Sequence, residues 1–395
     1  MRTNLYNTPS EFINSWTSNK EYFDMLSLMA SLSNLFSESN VPFLDYRLAE
    51  NLFCKYFNAI NDARSCTAYD ARIGNLGIGV KTFILPKECS TEKIAEFNKL
   101  KPTLEGLKGI ALARKLSQYR NERMEYANQL FGIEESLYHI VGRKDGRLLV
   151  FNTDYSPIDI DNIQKVKDNS SSLSFWVGDD FYSFNKSKSV LMKKFTLPTQ
   201  YKEVDVDIID DPLELLSQLL SKQDIGITST GTSKVKGVDY VILPLYSLKG
   251  KHKMVPERSG LNQWNARGRA RNENEVYIPI PHKIHDYYPD FFPTRDEPFI
   301  LVLPDGKTLS AKICQDGGKA LMSNPNSALG EWVLRKVLKK PVGEIVTMDD
   351  LNALGIDSVY IEKTKDVDKD GQKIYKFIFT SSEYESYDAF IAQNE

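Results

Sequence analysis

A short stretch around residue 75 brings together residue types that could do chemistry. Residues 69–73 and 78–83 alternate in the manner of strands, and Gly and Asn occupy the turn between them at 74–77. This pattern predicts a β-hairpin. Because side chains alternate along a strand, Gly79 and Lys81 point to one face. We therefore expect Asp70, at the start of the first strand, to meet Lys81 across the hairpin.

The helix predicted before this hairpin carries a carboxylate on its apolar face. It begins after Asp45, its N-cap, and runs to about residue 60. Glu50 shares one face of that helix with three aromatic residues, Tyr46, Phe53 and Phe57. A carboxylate on an apolar stripe is costly to bury unless a cation or hydrogen bonds compensate it. Either Glu50 pairs with a basic neighbour at the helix margin, or it joins Asp70 and Lys81 in one site.

The pattern of Asp70, Gly79 and Lys81 resembles the core of PD-(D/E)XK nucleases, in which an acid starts one strand and an acid-x-lysine sequence lies on the next. The resemblance implies that two carboxylates hold Mg²⁺ beside a phosphodiester, while the lysine orients or activates the attacking water. This chain departs from the pattern because the second acid would fall at Gly79, which has no side chain. We hypothesise that Glu50 supplies the missing carboxylate, as migrated acids do in some members. The predicted catalytic residues are therefore Glu50, Asp70 and Lys81, with Glu50 and Asp70 as Mg²⁺ ligands.

A second stretch, residues 259–281 (SGLNQWNARGRARNENEVYIPIP), concentrates positive charge. It carries arginines at alternate positions, Arg267, Arg269 and Arg271, before an acidic and amide cluster and an apolar strand. Residues 249–271 hold seven lysines and arginines against one glutamate, a formal charge of +6, whereas the whole chain has a net charge of −3. A guanidinium is always charged and keeps its solvation unless an anion replaces it. The arm is therefore either a solvated basic loop or a footprint for a polyanion.

Length and composition limit the class of protein. With 395 residues, of which 41% are apolar and 26% charged, the chain is expected to be soluble and to have two or three domains. No apolar run approaches the roughly 20 residues that cross a bilayer, and the N-terminus lacks an apolar signal segment. The four cysteines lack metal-site spacing, so we interpret them as reduced thiols in a cytoplasm. Histidines are equally sparse, so any metal should be a hard cation held by oxygens.

A change of composition near residue 222 marks the best domain boundary. Residues 203–211 are acidic, a short helix starts at Pro212, and residues 221–236 are rich in Ser, Thr and Gly. Short strands dominate after it, with one clear helix at 328–338, a pattern typical of a small barrel or pseudobarrel. The predicted fold class is α+β (mixed α/β), with residues 1–222 as a restriction-endonuclease-like α/β core and residues 223–395 as a β-pseudobarrel.

The second half resembles the C-terminal recognition domain of NgoFVII-type restriction endonucleases, which is B3-like and similar to the pseudobarrels of plant transcription factors, BfiI and EcoRII. The resemblance covers roughly residues 238–365, and its most distinctive pieces are SGLN at 259–262 and NEVYIPIP at 274–281. It implies that two arms grip the major groove of double-stranded DNA, where arginine suits guanine and asparagine or glutamine suits adenine. The residues that match the first arm are Asn262, Gln263, Trp264, Asn265, Arg267, Arg269, Arg271, Asn272 and Asn274. Those that match the second arm are Lys319, Ser323, Asn324, Asn326 and Ser327.

Together the two resemblances imply a prokaryotic, cytoplasmic type II restriction endonuclease that hydrolyses phosphodiesters in double-stranded DNA with Mg²⁺. NgoFVII and BfiI are thought to use a phospholipase D-like catalytic domain with an HxK pattern, and residues 1–200 contain no such element with a matching Asn. Two alternatives stay open. One is a non-catalytic DNA-binding protein, which Gly79 favours, and the other is a modification-dependent nuclease with Trp264 in a flipped-base pocket. A single active site cuts one strand, so a homodimer or sequential nicking is expected.

Overall fold

The structure is a computed structural model that describes residues 8–62, 68–222, 239–250, 252–381 and 387–392. The chain divides into two compact units, the first built mainly from residues up to Thr230 and the second mainly from Gly231 onward. The predicted boundary between residues 222 and 223 stays a prediction, because residues 223–238 lie outside the described ranges. Within those ranges no helix is both long enough and apolar enough to span a bilayer.

The first unit contains six helices and eleven strands within the described residues. The helices are α1 (Pro9–Ser15), α2 (Lys20–Ser31), α3 (Tyr46–Phe57), α4 (Lys101–Leu104), α5 (Gly109–Phe131) and α6 (Pro212–Lys222). The strands are β1 (Ile60–Asn61), β2 (Ala71–Ile73), β3 (Leu76–Ile84), β4 (Cys89–Glu96), β5 (Glu135–Lys144), β6 (Arg147–Asp154), β7 (Ile163–Asp168), β8 (Ser172–Val177), β9 (Asp180–Asn185), β10 (Val190–Thr196) and β11 (Lys202–Asp205).

The predicted hairpin is β2–β3, and it lies inside a six-stranded sheet with the order β1-β2-β3-β5-β6-β11. The turn is only Gly74–Asn75, shorter than the four residues predicted, and Gly74 takes a φ of +56° that favours glycine. Strand β3 pairs antiparallel with β2 and parallel with β5. Residues 76–78 of β3 are therefore held by strands on both sides, whereas Lys81 is paired only with Ile140 of β5.

Helices α1 to α3 cover this sheet with an aromatic core. Helix α3 begins at Tyr46 because the carboxylate of Asp45 accepts hydrogen bonds from two backbone N–H groups of the first turn, at 2.9 and 3.3 Å, as the sequence predicts. Four aromatic side chains of the helices surround the fully buried imidazole of His139, namely Phe12, Tyr22, Phe53 and Phe57. This packing holds α3, and with it Glu50, against the sheet.

A second sheet in the first unit has the order β4-β10-β9-β8-β7 and is antiparallel throughout. One of its faces packs on α5, where Leu112 and Leu116 of the helix join Phe175 and Phe184 of the sheet in one buried cluster. Two arginines of α5 make contacts inside the unit: Arg120 is buried, and Arg123 donates to the carbonyl of Glu96 at 2.9 Å, whereas Arg114 is exposed.

The second unit is dominated by strands, as predicted. Its strands are β12 (Tyr240–Pro244), β13 (Ser247–Lys249), β14 (His252–Met254), β15 (Ile278–Pro279), β16 (Phe299–Val302), β17 (Thr308–Cys314), β18 (Ala320–Ser323), β19 (Ser358–Val367) and β20 (Lys373–Thr380). Its helices are α7 (His282–Tyr287), α8 (Ala328–Gly330) with a π-helical continuation over Glu331–Val337, α9 (Met348–Leu354) and α10 (Tyr387–Ala392).

Seven of these strands form one sheet with the order β12-β19-β20-β16-β17-β18-β15. The sheet curls into a half-barrel, and its two edge strands, β12 and β15, approach each other. This confirms the predicted α+β fold class and a second unit consistent with a B3-like pseudobarrel. Two details differ from the sequence pattern: the strand predicted over 276–281 is reduced to β15, and β18 is a strand that the sequence analysis did not identify.

Candidate functional site

The predicted meeting of Asp70 and Lys81 is observed. Asp70 Oδ2 accepts a hydrogen bond from the backbone N–H of Val80 at 2.8 Å, and Lys81 Nζ lies 3.8 Å from the same oxygen. The backbone N–H of Asp70 also donates to the carbonyl of Ile78 at 2.9 Å. About a quarter of the Asp70 side chain and a third of the Lys81 side chain remain exposed. The pair is therefore held by the hairpin backbone yet open to a ligand from solvent.

Glu50 belongs to the same electrostatic group. It is 5% exposed on α3, and Oε2 accepts a hydrogen bond from Arg47 Nη1 at 3.1 Å. Burial, followed by the negative charge of Asp70, raises the pKa of Glu50 to about 7, against the opposing effects of Arg47 and Lys81. Glu50 therefore has the basic partner that the sequence offers, Arg47, and its pKa also responds to the charges of Asp70 and Lys81.

Lys81 remains an ammonium group in this setting. Burial disfavours its charge, but the nearby carboxylates, Asp70 first, outweigh that effect and raise the pKa of Lys81. A lysine whose pKa is raised cannot accept a proton from water near neutral pH. Of the two roles implied by the nuclease resemblance, orienting water and stabilising negative charge fits this lysine, whereas acting as a general base does not.

The space that an acid at position 79 would need is filled by tyrosine rings. A Cβ on Gly79 would lie 2.8 Å from Cδ1 of Tyr138 and 2.9 Å from Cε1 of Tyr155. A Cβ on Gly77 would lie 2.8 Å from the ring of Tyr69. Two glycines at alternate positions of a strand are a sequence signal of close approach by another group, but the sequence does not say which group approaches. The departure from the nuclease pattern at Gly79 therefore has a steric cause.

The donor set at this site fits Mg²⁺ better than a softer metal. Within the described ranges no group of three or more His, Cys, Asp and Glu side chains could hold a metal. Mg²⁺ retains several waters and is often bound by one or two carboxylates, so Glu50 and Asp70 suffice for it. Their mutual repulsion, visible in the raised pKa of Glu50, is what a bound cation would relieve. Glu50 and Asp70 would hold the ion, with Lys81 beside it.

A further carboxylate behind the site was missed by sequence reasoning. Asp62 is buried, its carboxylate lies 2.9 Å from Arg72 Nε, and its backbone N–H donates to the carbonyl of Asp70 at 3.0 Å. Burial raises the pKa of Asp62 to about 6, although Arg72 opposes this shift. Asp62 supports the backbone at Asp70 and is committed to Arg72, so we do not include it among the metal ligands.

The basic arm of the second unit is a compact loop. Arg271 Nη1 donates to three carbonyls of the arm, those of Ala266, Arg267 and Arg269, at 2.7 to 3.2 Å. The buried carboxylate of Glu275 lies 2.5 Å from Arg269 and 3.5 Å from Arg271. The expectation that these arginines keep their solvation until an anion arrives is wrong for Arg271, whose side chain is 12% exposed. The loop's own carbonyls and Glu275 replace the water.

Asn262 is placed in the interior. It is fully buried, its amide nitrogen donates to the carbonyls of Pro256 and Val346, and its amide oxygen accepts from the N–H of Val346. Because the donors and the acceptor of this amide are already used inside the protein, none is left to bond a DNA base. Its predicted role in reading DNA has no support in this conformation. Asn262 instead ties the arm to the segment before α9.

The end of the first arm is anchored to the helix that follows β18. Asn274 Oδ1 accepts a hydrogen bond from Arg335 Nε at 2.8 Å, and Arg335 also donates to the carbonyl of Glu273 at 2.9 Å. The carbonyl of Asn274 comes so near Gly330 that a Cβ there would lie 1.8 Å from its oxygen. The position of Asn274 is therefore fixed by packing, and only part of its surface is open.

The other residues predicted for the first arm lie at or near its surface. Arg267 is exposed, and its guanidinium has no partner within the described part of the chain. Asn265 and Asn272 are exposed and make local hydrogen bonds, to the carbonyl of Glu257 and with the N–H of Asn274 respectively. Gln263 and Trp264 are half-buried, and Trp264 Nε1 has no hydrogen-bond partner among the described residues.

Strand β18 separates Lys319 from the other residues predicted for the second arm. Ser323 is buried, accepts from the N–H of Leu329 at 2.9 Å and donates to the carbonyl of Pro325 at 2.8 Å, so it shapes the loop and faces no ligand. Asn324 and Asn326 are exposed and Ser327 is half-buried, just after β18. Lys319 is exposed at the opposite end of the strand. Because β15 pairs antiparallel with β18, the first arm lies beside 324–327 and Lys319 stands apart.

Comparison with known proteins adds one finding. No curated protein matches the chain at a significant level. Residues 240–365, from the start of β12 into β19, match the family model described as the NgoFVII C-terminal B3-like DNA-binding domain. The resemblance of the first unit to PD-(D/E)XK nucleases has no such match and stays a prediction. The second unit is thus similar to the NgoFVII C-terminal B3-like DNA-binding domain, as its sequence predicts.

Proposed function

We propose that the protein is a type II restriction endonuclease. The second unit would bind a short specific sequence in double-stranded DNA, and the first would hydrolyse phosphodiester bonds with Mg²⁺. The proposal is supported by the ion pair of Asp70 and Lys81, whose charges also act on the pKa of Glu50, in a chain whose residues 240–365 match a B3-like DNA-binding domain. A prokaryotic cytoplasm is the compartment that this function implies.

Glu50, Asp70 and Lys81 each have a separate role in this proposal. Glu50 and Asp70 would hold Mg²⁺, which would act as a Lewis acid on the phosphodiester when bound. Asp70 is kept in place by the backbone N–H of Val80. Glu50 must lose its proton to act as a ligand, and Arg47 favours that loss. Lys81, which stays charged, stabilises the negative charge that develops on the phosphate and orients the attacking water.

The surface residues of the two arms are the proposed DNA contacts. Arg267 can bond both acceptors of a guanine, and the exposed amides of Asn265, Asn272, Asn324 and Asn326 suit adenine. Lys319, apart from the others, suits a phosphate. Asn262, Arg271 and Ser323 shape the arms from inside, so they stand outside the proposed contact set.

Matched substitutions test the catalytic assignment. Asp70→Asn keeps an acceptor for the N–H of Val80 but removes the charge, and Lys81→Met keeps much of the chain length without the ammonium group. We expect either change to reduce Mg²⁺-dependent plasmid cleavage by at least about 100-fold, while retardation of cognate duplex in Ca²⁺ is retained. Asp179→Asn, an exposed acid on the β8–β9 turn, is the control. If both site variants still cut at the wild-type rate, the assignment is wrong.

The two alternatives give different results in the same assay. A non-catalytic DNA-binding protein, which the small number of carboxylates at the site favours, would retard an intact plasmid in Mg²⁺, whereas an endonuclease yields discrete fragments. A modification-dependent nuclease would cut methylated substrate and spare the unmethylated one. Sedimentation with and without cognate duplex would decide whether the enzyme acts as a homodimer or by sequential nicking.

A further inference from the structure

Three tyrosines cover the two glycines of β3 that precede Lys81. Tyr69 lies against Gly77, and Tyr138 and Tyr155 lie against Gly79, each so near that a Cβ would be 2.8 to 2.9 Å from a ring. Neither glycine has a positive φ, so both positions need space and not backbone freedom. The rings therefore occupy the face of β3 on which Lys81 also lies.

Tyr155 is fixed in this arrangement from several sides. It is 5% exposed and stacks on Tyr138 with ring centroids 3.8 Å apart and an interplanar angle of 11°. The guanidinium of Arg120 lies 5.2 Å from its ring centroid, and Arg120 Nη1 donates to the carbonyl of Ser156 at 3.0 Å. Tyr69 meets it edge to face at 5.3 Å. Such a ring has little freedom to move, so its hydroxyl marks a fixed point.

The hydroxyls of the two stacked rings differ in one respect. Tyr155 Oη donates a hydrogen bond of 2.6 Å to the carbonyl of Ala68, two residues before Asp70. Tyr138 Oη is buried and makes no hydrogen bond to this segment; the charged group beside it is the guanidinium of Arg120. Asp70 itself is held by its N–H, which donates to the carbonyl of Ile78, and by its carbonyl, which accepts from the N–H of Asp62. The bond from Tyr155 adds a contact two residues earlier, at the carbonyl of Ala68.

We propose that Tyr155 is a positioning residue for the metal-binding carboxylate. Its hydroxyl fixes Ala68 and so holds Asp70 at the separation from Glu50 and Lys81 that a divalent cation needs. The proposal rests on the proposed function, since it assigns Tyr155 to the Mg²⁺ site of Glu50 and Asp70. It also explains why position 79 is a glycine, since the absence of a side chain makes room for the ring of Tyr155, which positions Asp70.

The stacked pair supplies its own control. Tyr155→Phe removes the hydroxyl that bonds Ala68, and Tyr138→Phe removes a hydroxyl that makes no bond to the chain before Asp70, while both leave the rings in place. Outer partners of metal ligands typically change metal affinity by about 10- to 100-fold. For Tyr155→Phe we expect about a tenfold rise in the Mg²⁺ concentration giving half-maximal cleavage, with the rate recovered at high Mg²⁺, and for Tyr138→Phe less than about a twofold change.

Mg²⁺ binding to the full chain without DNA, measured by titration calorimetry, gives a second readout that does not require cleavage. In this titration we expect Tyr155→Phe to bind Mg²⁺ more weakly than wild type does, and Tyr138→Phe to bind it with the wild-type affinity. The proposal is overturned if the two variants behave alike. It is also overturned if Tyr155→Phe lowers the maximal rate and thermal stability while Mg²⁺ half-saturation stays the same, because that is the behaviour of a purely structural hydrogen bond.

The proposed function and this inference can fail separately. If wild type binds Mg²⁺ but cuts no DNA, the endonuclease assignment fails, and the calorimetric comparison still decides the role of Tyr155. If wild type cuts DNA and Tyr155→Phe shows the wild-type Mg²⁺ dependence, only the inference fails. If wild type neither binds Mg²⁺ nor cuts, both are wrong.

Discussion

Gly79 determines which residue can supply the second carboxylate of the proposed metal site. In the nuclease pattern this position carries an acid, whereas here it carries no side chain because Tyr138 and Tyr155 fill the space. In the proposed site the second carboxylate is that of Glu50, on a helix, where burial and the charge of Asp70 raise its pKa to about 7. The proposed site therefore has one acid fixed by the hairpin and one that ionises only near neutral pH.

Restoring the acid at this position should harm the protein. Gly79→Asp would force the side chain into the stacked rings, and overpacking a well-filled core costs about 1–3 kcal/mol. We expect Gly79→Asp and Gly79→Ala to lower the free energy of unfolding to a similar extent and to reduce cleavage, because both displace Tyr155. Chemical unfolding and plasmid cleavage measure the two effects. Faster cutting by Gly79→Asp than by wild type would contradict the steric explanation.

At the scale of elements, the three arginines of the first arm have different roles. Arg271 bonds three carbonyls of its own loop, and Glu275 lies beside Arg269 and Arg271. Arg267 extends into solvent. Sequence spacing cannot separate these roles, because alternate positions on an irregular loop do not define faces as they do on a strand. Only the folded loop shows which arginine is left for DNA.

Substitutions of Arg267 and of Arg271 should therefore differ in their effects on DNA binding and on stability. Arg267→Gln should weaken binding of cognate duplex by about 1–3 kcal/mol if Arg267 reads a guanine, with the melting temperature unchanged. Arg271→Gln should lower stability by about 1–3 kcal/mol, since it removes three hydrogen bonds within the loop and one of the two cations beside the buried carboxylate of Glu275, and should weaken binding only as a consequence. Electrophoretic retardation at fixed salt and thermal unfolding separate the two. Equal losses of stability would show that Arg267 is also structural.

At the scale of the molecule, sequence reasoning succeeded where the signal was local. Asp45 at the start of α3, the Gly74–Asn75 turn and the approach of Asp70 to Lys81 all depend on residues within a dozen positions. It could not place Tyr155 against Gly79, because 76 residues separate them and only the pairing of β3, β5 and β6 brings them together. It also could not separate a buried amide such as Asn262 from one that reads bases, since both are asparagine in a polar segment.

Two buried groups act on the stability of the whole chain with opposite signs. The folded state raises the pKa of Glu50 from 4.5 to about 7, so between these values it binds more protons than the unfolded state, and stability falls as pH rises. Burial lowers the pKa of His139 from 6.5 to about 4, although Asn152 favours the charged ring. In that window the unfolded state binds more protons, so stability rises with pH. Each effect is at most about 3 kcal/mol.

Because the two windows overlap between pH 4.5 and 6.5, their contributions should nearly cancel in wild type and become visible when one group is removed. Without Mg²⁺, Glu50→Gln should gain stability relative to wild type as pH rises from 4.5 to above 7. His139→Gln should gain relative to wild type as pH falls from 6.5 toward 4, whatever its constant cost in packing. Asp62 and the other carboxylates that do not interact with Glu50 remain in all three proteins and drop out of the differences, whereas Asp70, which is coupled to Glu50, contributes to the Glu50→Gln difference. Denaturant unfolding at each pH measures these differences, and a Glu50→Gln difference independent of pH would mean that Glu50 is already ionised well below pH 7 and is not coupled to Asp70.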